Sequence, residues 1–431
     1  MARTFSAKTA RPVAQAAQRL AQLAMGPDQP LLPRQGPRPL GMHLTGALSL
    51  WLGLPIVWPS LKKNWPGLSP ELAPRLEKLR TQLGPGQNPE FHRALTAAAV
   101  ARARLFISGI QSYRQNKARR NMLQAPVIWQ AGTTRVRDYN PANPGAPSIL
   151  VIPSLINRFD ILDLDRNHSF LRALAERGLR PVVVDWDIPG DDEKNFSLTD
   201  YASKRLVPVL DFITNGAPLL LLGYCMGGNL ALALAALRPH QIRALALLAT
   251  PWDFHQPDAT IGPQFLALAA NLEPYLESLG YLPVDIIQSL FAGFQPGQVM
   301  SKFTDFAGLD PASLEARHFV LLEDWLNDGV PLTAPVAREC LRDWYGENLP
   351  GKRTWHIEGK LVDPRILTMP AYVTVPGKDR IVPPESALPL AKLLPRASLH
   401  EPMTGHVGMI ASPKAPQQVW TPLMAWLEKH K

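Results

Sequence analysis

Cysteine is scarce. The 431 residues carry two, Cys225 and Cys340, too few for a disulfide framework or a cysteine-based zinc cluster, and they read as reduced thiols in a reducing compartment. Acidic residues are nearly missing from the front. Residues 1–138 hold 20 Lys+Arg against 5 Asp+Glu, a net of +15, whereas the remainder holds 25 against 31, a net of −6. A basic front on a mildly acidic body suggests a contact module joined to a separate machine; the plainer alternative is a solvated basic face. Nothing in the pattern points to a specific nucleic acid.

Long unbroken hydrophobic runs are also wanting. Residues 1–26 carry Arg3, Lys8, Arg11 and Arg19 among alanine and glutamine, too interrupted for a signal-peptide core, and read as a helical surface arm. Residues 39–61 contain no ionised side chain, only His43, and are long enough to span a bilayer. Pro55, Pro59, Thr45 and Ser49 weaken that reading, while Trp51, Trp58 and Trp65 gather around Lys62 and Lys63 as in an interfacial segment. Packing against the body is the alternative, and no transmembrane span is expected. Hydrophobic residues at 46% and charged residues at 19% supply a large core and exclude a disordered chain. Proline, with 44 residues, argues against a coiled coil or a long helical array.

Up to about residue 123 the pattern is helical and loop-rich. Beyond Pro126 short apolar runs appear at 127–129, 134–139, 148–152, 181–185, 219–222, 244–248, 372–375 and 398–401, separated by helical patterns at 169–177, 198–214 and 228–237. Runs buried on both faces and alternating with helices predict a largely parallel, doubly wound α/β sheet. The alternation lapses between 248 and 372, where helical pattern over about 255–345 predicts a cap above the carboxyl ends of the strands. The expected division is a basic, mainly helical interaction region at 1–123 and a catalytic domain at 124–431.

The most informative stretch is Leu219-Leu220-Leu221-Leu222 running into Gly223-Tyr224-Cys225-Met226-Gly227-Gly228 and then a helix. This is a nucleophile-elbow pattern with cysteine in the serine position. It puts the sulfur at a helix N-terminus and aims the Met226 N–H at a nascent oxyanion. An acid and a histidine should follow downstream. Asp379 lies just past the 372–375 strand and His406 just past the 398–401 strand, where each belongs. Asp253, also beyond a strand, is the competing acid. His168, His240, His255, His356 and His400 lack comparable context. A second oxyanion donor is expected from residues 154–157, with Ile156 as the specific candidate, since Pro153 has no N–H. The site needs neither metal nor resident cofactor.

Ile156-Asn157-Arg158-Phe159-Asp160-Ile161-Leu162-Asp163-Leu164, the Gly223–Gly228 elbow, Leu341-Arg342-Asp343-Trp344-Tyr345-Gly346-Glu347-Asn348, Asp379-Arg380-Ile381-Val382-Pro383-Pro384 and Gly405-His406 together resemble the polyhydroxyalkanoate synthase family over roughly residues 125–410. One departure is Arg380, where family members commonly carry histidine directly after the acid. The resemblance implies an α/β-hydrolase fold with a helical cap insertion, and Cys225, Asp379 and His406 as catalytic residues. It further implies a 3-hydroxyacyl-CoA substrate, a polyester product stored in granules, and a cytoplasmic, granule-associated or peripheral location. A homodimer and a synthase partner subunit both remain open.

Three functions are compatible with these residues. The first is an acyltransferase of the synthase kind. The second is a hydrolase on the same triad, a polyester depolymerase or acyl-CoA thioesterase, differing only in using water as acceptor. The third is a granule-associated accessory protein, which an intact triad disfavours.

Overall fold

A computed structural model describes residues 34, 36–61, 72–84, 88–120, 125–214, 217–256 and 261–431. The expected arm at 1–26, together with Lys62, Lys63, Trp65 and residue 123, lies outside the described residues. The chain divides into two compact units, one holding residues 119–287 and 328–431 and the other 34–118 and 288–327.

The larger unit is built on an eight-stranded sheet. In chain order its strands are β1 (Val127–Ala131), β2 (Thr134–Asp138), β3 (Ser148–Ile152), β4 (Arg180–Asp185), β5 (Leu219–Tyr224), β6 (Ile242–Leu248), β7 (Ala371–Thr374) and β8 (Ala397–His400). In space they run β1-β2-β4-β3-β5-β6-β7-β8. The β1–β2 and β2–β4 pairs are antiparallel and all the others parallel. All eight coincide with the apolar runs read from the sequence. For the central strands the reason is burial on both faces: every residue of β5 and β7 is buried, and of β3 all but Ser148, whereas the edge strands β1 and β8 are partly exposed. Helices Phe170–Glu176, Met226–Leu237 and Pro384–Leu393 make the crossovers after β3, β5 and β7. From β3 the chain winds one way to β4, then returns to the other side of β3 to lay down β5. A crevice at such a reversal is where open α/β sheets bind ligands.

The insertion after β6 contributes the helix Ile261–Leu279 and the short helices Ala334–Arg338 and Glu339–Gly346 to this unit. Glu339 fastens the last of these. Its carboxylate accepts the Leu198 N–H at 2.7 Å, at the head of a helix whose capping box is Ser197 and Asp200. Burial raises the Glu339 pKa to about 7; the Leu198 N–H lowers it, while Asp343 and Asp200 add to the rise. The folded chain therefore holds this proton more tightly than the unfolded chain. That stabilisation is complete below about pH 4.5 and is lost as pH climbs through 7. Glu339→Gln keeps an acceptor for Leu198 and cannot ionise. It should match the wild type near pH 4.5 and exceed it by roughly 1–3 kcal/mol at pH 8, read from denaturation curves at both values; an equal difference at the two would contradict the assignment.

The smaller unit packs the helices Pro89–Gln115, Gln298–Phe306 and Leu314–Asn327 around Phe106, Ile110, Tyr113, Phe303, Phe306 and Val320. Gly109 permits the closest approach, since a Cβ there would overlap the Phe303 carbonyl oxygen. Arg34 and the Tyr113 hydroxyl both bind Asp324, at 2.6 and 2.9 Å. Residues 288–327, part of the stretch expected as a cap, thus share a core with residues 34–118. A chain beginning at residue 124 would strip Phe303 and Phe306 of that core.

The helix Leu40–Leu61 belongs to this unit. Ala47 and Trp58 are buried and Trp51 meets the edge of Phe106, but Met42, Leu50, Leu52, Ile56 and Val57 are exposed. Among the described residues it is the one helix long and apolar enough to cross a membrane, by length and composition.

Candidate active site

Cys225 stands between β5 and the helix Met226–Leu237 with φ 56°, a left-handed backbone that a non-glycine residue adopts only under constraint. The Cys225 N–H donates to the Leu248 carbonyl at 2.8 Å, tying the elbow to the end of β6. The flanking glycines are obligatory for space. A Cβ on Gly223 would overlap Gly228, and one on Gly227 would overlap the Ile152 carbonyl oxygen. Met226 opens the helix, so its N–H is among those left without an intrahelical acceptor.

Asp379 and His406 meet across the loops after β7 and β8. The His406 Nδ1 lies 2.7 Å from Asp379 Oδ2, and Asp379 Oδ1 accepts the N–H groups of Ile381 at 2.8 Å and Val382 at 2.9 Å. Both side chains are buried, at 4% and 8% exposure, so the carboxylate is aimed by the backbone and shielded from water. Cys225 lies close enough to His406 to act on the imidazole electrostatically. Burial alone would lower the imidazole pKa, but Asp379 and Cys225 outweigh it and hold the value up to about 10. The structure therefore pairs His406 with Asp379 and leaves Cys225 near enough to influence the imidazole.

Asp253 is engaged elsewhere. Its Oδ1 accepts Asn348 Nδ2 at 2.7 Å and the His255 N–H at 3.1 Å, which fastens Asn348, just past the helix Glu339–Gly346, to the loop after β6. His255 donates to the Tyr345 and Gly346 carbonyls, and His168 and His400 are bonded to the Ile410 and Gln418 carbonyls. The Ile156 N–H donates to Ser154 Oγ at 3.2 Å, so acting as an oxyanion donor would require it to exchange that bond. Cys340 is disfavoured as a nucleophile: burial, then Glu339 and Asp343, push its thiol well above the ordinary range.

Two aromatic residues were missed by sequence reasoning. The Tyr224 ring stacks on the His406 imidazole at 5.4 Å and its hydroxyl donates to the His406 carbonyl at 3.3 Å. Tyr345 stacks on Phe265 at 4.3 Å and is close enough to Cys225 and Asp379 to feel their charges. Position next to the nucleophile was the only available signal for Tyr224. Among the described residues, no group of three or more His, Cys, Asp or Glu could hold a metal ion.

Residues 147–413 match the family described as the alpha/beta hydrolase fold. The chain belongs to that family. Among curated proteins it is similar to the poly(3-hydroxyalkanoate) polymerase subunit PhaC of Synechocystis sp., at 26% identity over 76% of this chain and 90% of that one. It is also similar to the PhaC of Haloferax mediterranei, at 28% identity over 64% of this chain and 58% of that one; the chain thus spans under two thirds of this second relative. Among solved structures, a thermophilic esterase from Thermogutta terrifontis aligns with a TM-score of 0.43 and 17% identity, over 72% of this chain and all of that one. The elbow at Cys225 follows a strand and opens a helix, and Asp379 and His406 come after it in the chain order described for this fold.

Proposed function

We propose that this protein is an acyltransferase that moves 3-hydroxyacyl groups from coenzyme A onto Cys225 and then onto a growing polyester chain. The observation that carries the reading is a cysteine at the elbow beside the hydrogen-bonded pair of His406 and Asp379, in a chain similar to PhaC polymerase subunits.

The residues support each step. At neutral pH His406 carries a proton, since its pKa is held up to about 10, and the sulfur attacks the thioester carbonyl as thiolate. The Met226 N–H and an N–H of the 154–157 loop receive the oxyanion. As the tetrahedral intermediate collapses, the bond to the CoA sulfur breaks and His406 protonates that sulfur. The neutral imidazole then takes the proton of an incoming hydroxyl, which attacks the Cys225 thioester and leaves an ester with the thiolate restored. Asp379 holds the imidazole orientation throughout.

Cysteine suits this sequence of steps thermodynamically. Transfer from the CoA thiol to a protein thiol exchanges one thioester for another, so the acyl group stays activated. A serine oxoester would surrender that activation. The exposed side chains of the helix Leu40–Leu61 and the basic front support contact with the surface of the polyester product, with water-mediated hydrolysis as the competing fate of the acyl-enzyme.

The test is acid quenching within the first turnover on 3-hydroxybutyryl-CoA, followed by peptide mass mapping. A 3-hydroxybutyryl adduct should sit on the peptide bearing Cys225. An adduct on Cys340 or on a serine would reject the mechanism.

A further inference from the structure

We propose that Arg158, Asp187 and Asp328 form a positioning cluster that fixes the peptide planes of the loop after β3, so that its N–H groups are preorganised for the oxyanion. The proposal rests on the reading that this loop supplies an oxyanion donor.

The loop is tied down at every turn. Its first carbonyl, that of Pro153, accepts the buried Trp186 indole N–H at 3.1 Å, and a Cβ on Gly227 of the elbow would also overlap it. The Ile156 carbonyl accepts the Val330 N–H at 2.7 Å, and Asn157 bridges Gly329 in antiparallel fashion. Arg158 ends the loop with two ion pairs, to Asp187 at 3.0 Å and to Asp328 at 2.9 Å. In a trans peptide the C=O and the following N–H point in opposite directions. Holding the Pro153 and Ile156 carbonyls therefore dictates where the Ser154 and Asn157 N–H groups point, and neither plane can flip without breaking a bond.

Asp187 is the costly member. It has φ 55° at the end of β4, is 8% exposed, and also accepts Arg135 at 3.0 Å and its neighbour's N–H at 2.8 Å. Burial works against its ionisation, yet Arg158, the Ile188 N–H and Arg135 keep its carboxyl below the usual range. A buried carboxylate in left-handed backbone costs stability, and such strain persists where the surroundings impose it, most often at functional sites. Of the two guanidinium groups it binds, one belongs to Arg158 at the end of this loop.

Two reactions of Cys225 separate positioning from general disorder. Acylation by a thioester or by p-nitrophenyl butyrate passes through an oxyanion, whereas alkylation by iodoacetamide displaces iodide at a saturated carbon and does not. In the full chain, Asp187→Asn and Arg158→Gln should lower kcat on both esters by about 10- to 100-fold. KM and the rate of Cys225 alkylation should stay within about twofold, and Arg158→Lys should recover part of kcat. Asp328→Asn changes a half-exposed partner and serves where the buried variants fail to fold; it should lose kcat by about 3- to 10-fold with the same unchanged alkylation. Equal losses in acylation and alkylation, or no loss in either, would overturn the proposal. A wild type active on p-nitrophenyl butyrate but inert to 3-hydroxybutyryl-CoA would reject the proposed substrate and still test the cluster; inertness to both esters would overturn the two together.

Discussion

Cys225→Ala should reduce acyl transfer to background, a loss on the order of 10⁵- to 10⁶-fold, with the fold intact. In the proposed mechanism the thiol is the reacting group and alanine supplies no nucleophile, while a single small side chain at the elbow contributes little packing. Cys225→Ser is the sharper variant. It keeps a nucleophile on the strained φ 56° backbone but would form an oxoester, so it should support slow acyl-ester cleavage at most and no chain growth. Circular dichroism and a melting curve distinguish loss of chemistry from loss of structure. Retained turnover in the alanine variant would eliminate Cys225 as nucleophile.

Asp379→Asn should cost about 10³- to 10⁴-fold in turnover, because the asparagine amide cannot fix the imidazole in the tautomer that Asp379 imposes. The pH behaviour should move with it. Against the lowering effect of burial, Asp379 is the largest influence raising the His406 pKa to about 10, so a carbon-13-labelled His406 should titrate near pH 10 in the wild type and well below it in the variant. The sign for stability follows. A pKa raised from 6.5 stabilises fully below pH 6.5 and the benefit disappears through pH 10, so the wild-type advantage over Asp379→Asn should shrink across that window. Asp253→Asn preserves an acceptor for Asn348 and should leave turnover near normal. The reverse ranking of the two variants would make Asp253 the acid.

The central strands were legible because they are buried on both faces, which writes itself into the sequence as runs such as Ile149–Ile152 and Leu219–Leu222. The positions of Cys225, Asp379 and His406 after strands were legible, and the structure adds the hydrogen bond between His406 and Asp379. What local pattern could not convey was pairing between distant residues. Asp253 also follows a strand, and what distinguishes it from Asp379 is an amide 95 positions away in Asn348. Nor does the sequence around Ile156 reveal that Ser154 Oγ takes its N–H. The grouping of residues 288–327 with 34–118 was hidden for a similar reason. Helical periodicity shows that a face is apolar, while the partner of that face is set by fits such as Gly109 against the Phe303 carbonyl.

The central claim is that the acyl group leaves Cys225 for a hydroxyl rather than for water, and product analysis reaches it directly. Purified protein would be supplied with 3-hydroxybutyryl-CoA while CoA release is followed and the acyl product is sized. The account predicts that nearly every CoA released is matched by a monomer in ester-linked chains many units long, with free 3-hydroxybutyrate a minor product. One free 3-hydroxybutyrate per CoA from the first turnovers, with no chain formed, would contradict it and identify a thioesterase built on the same three residues.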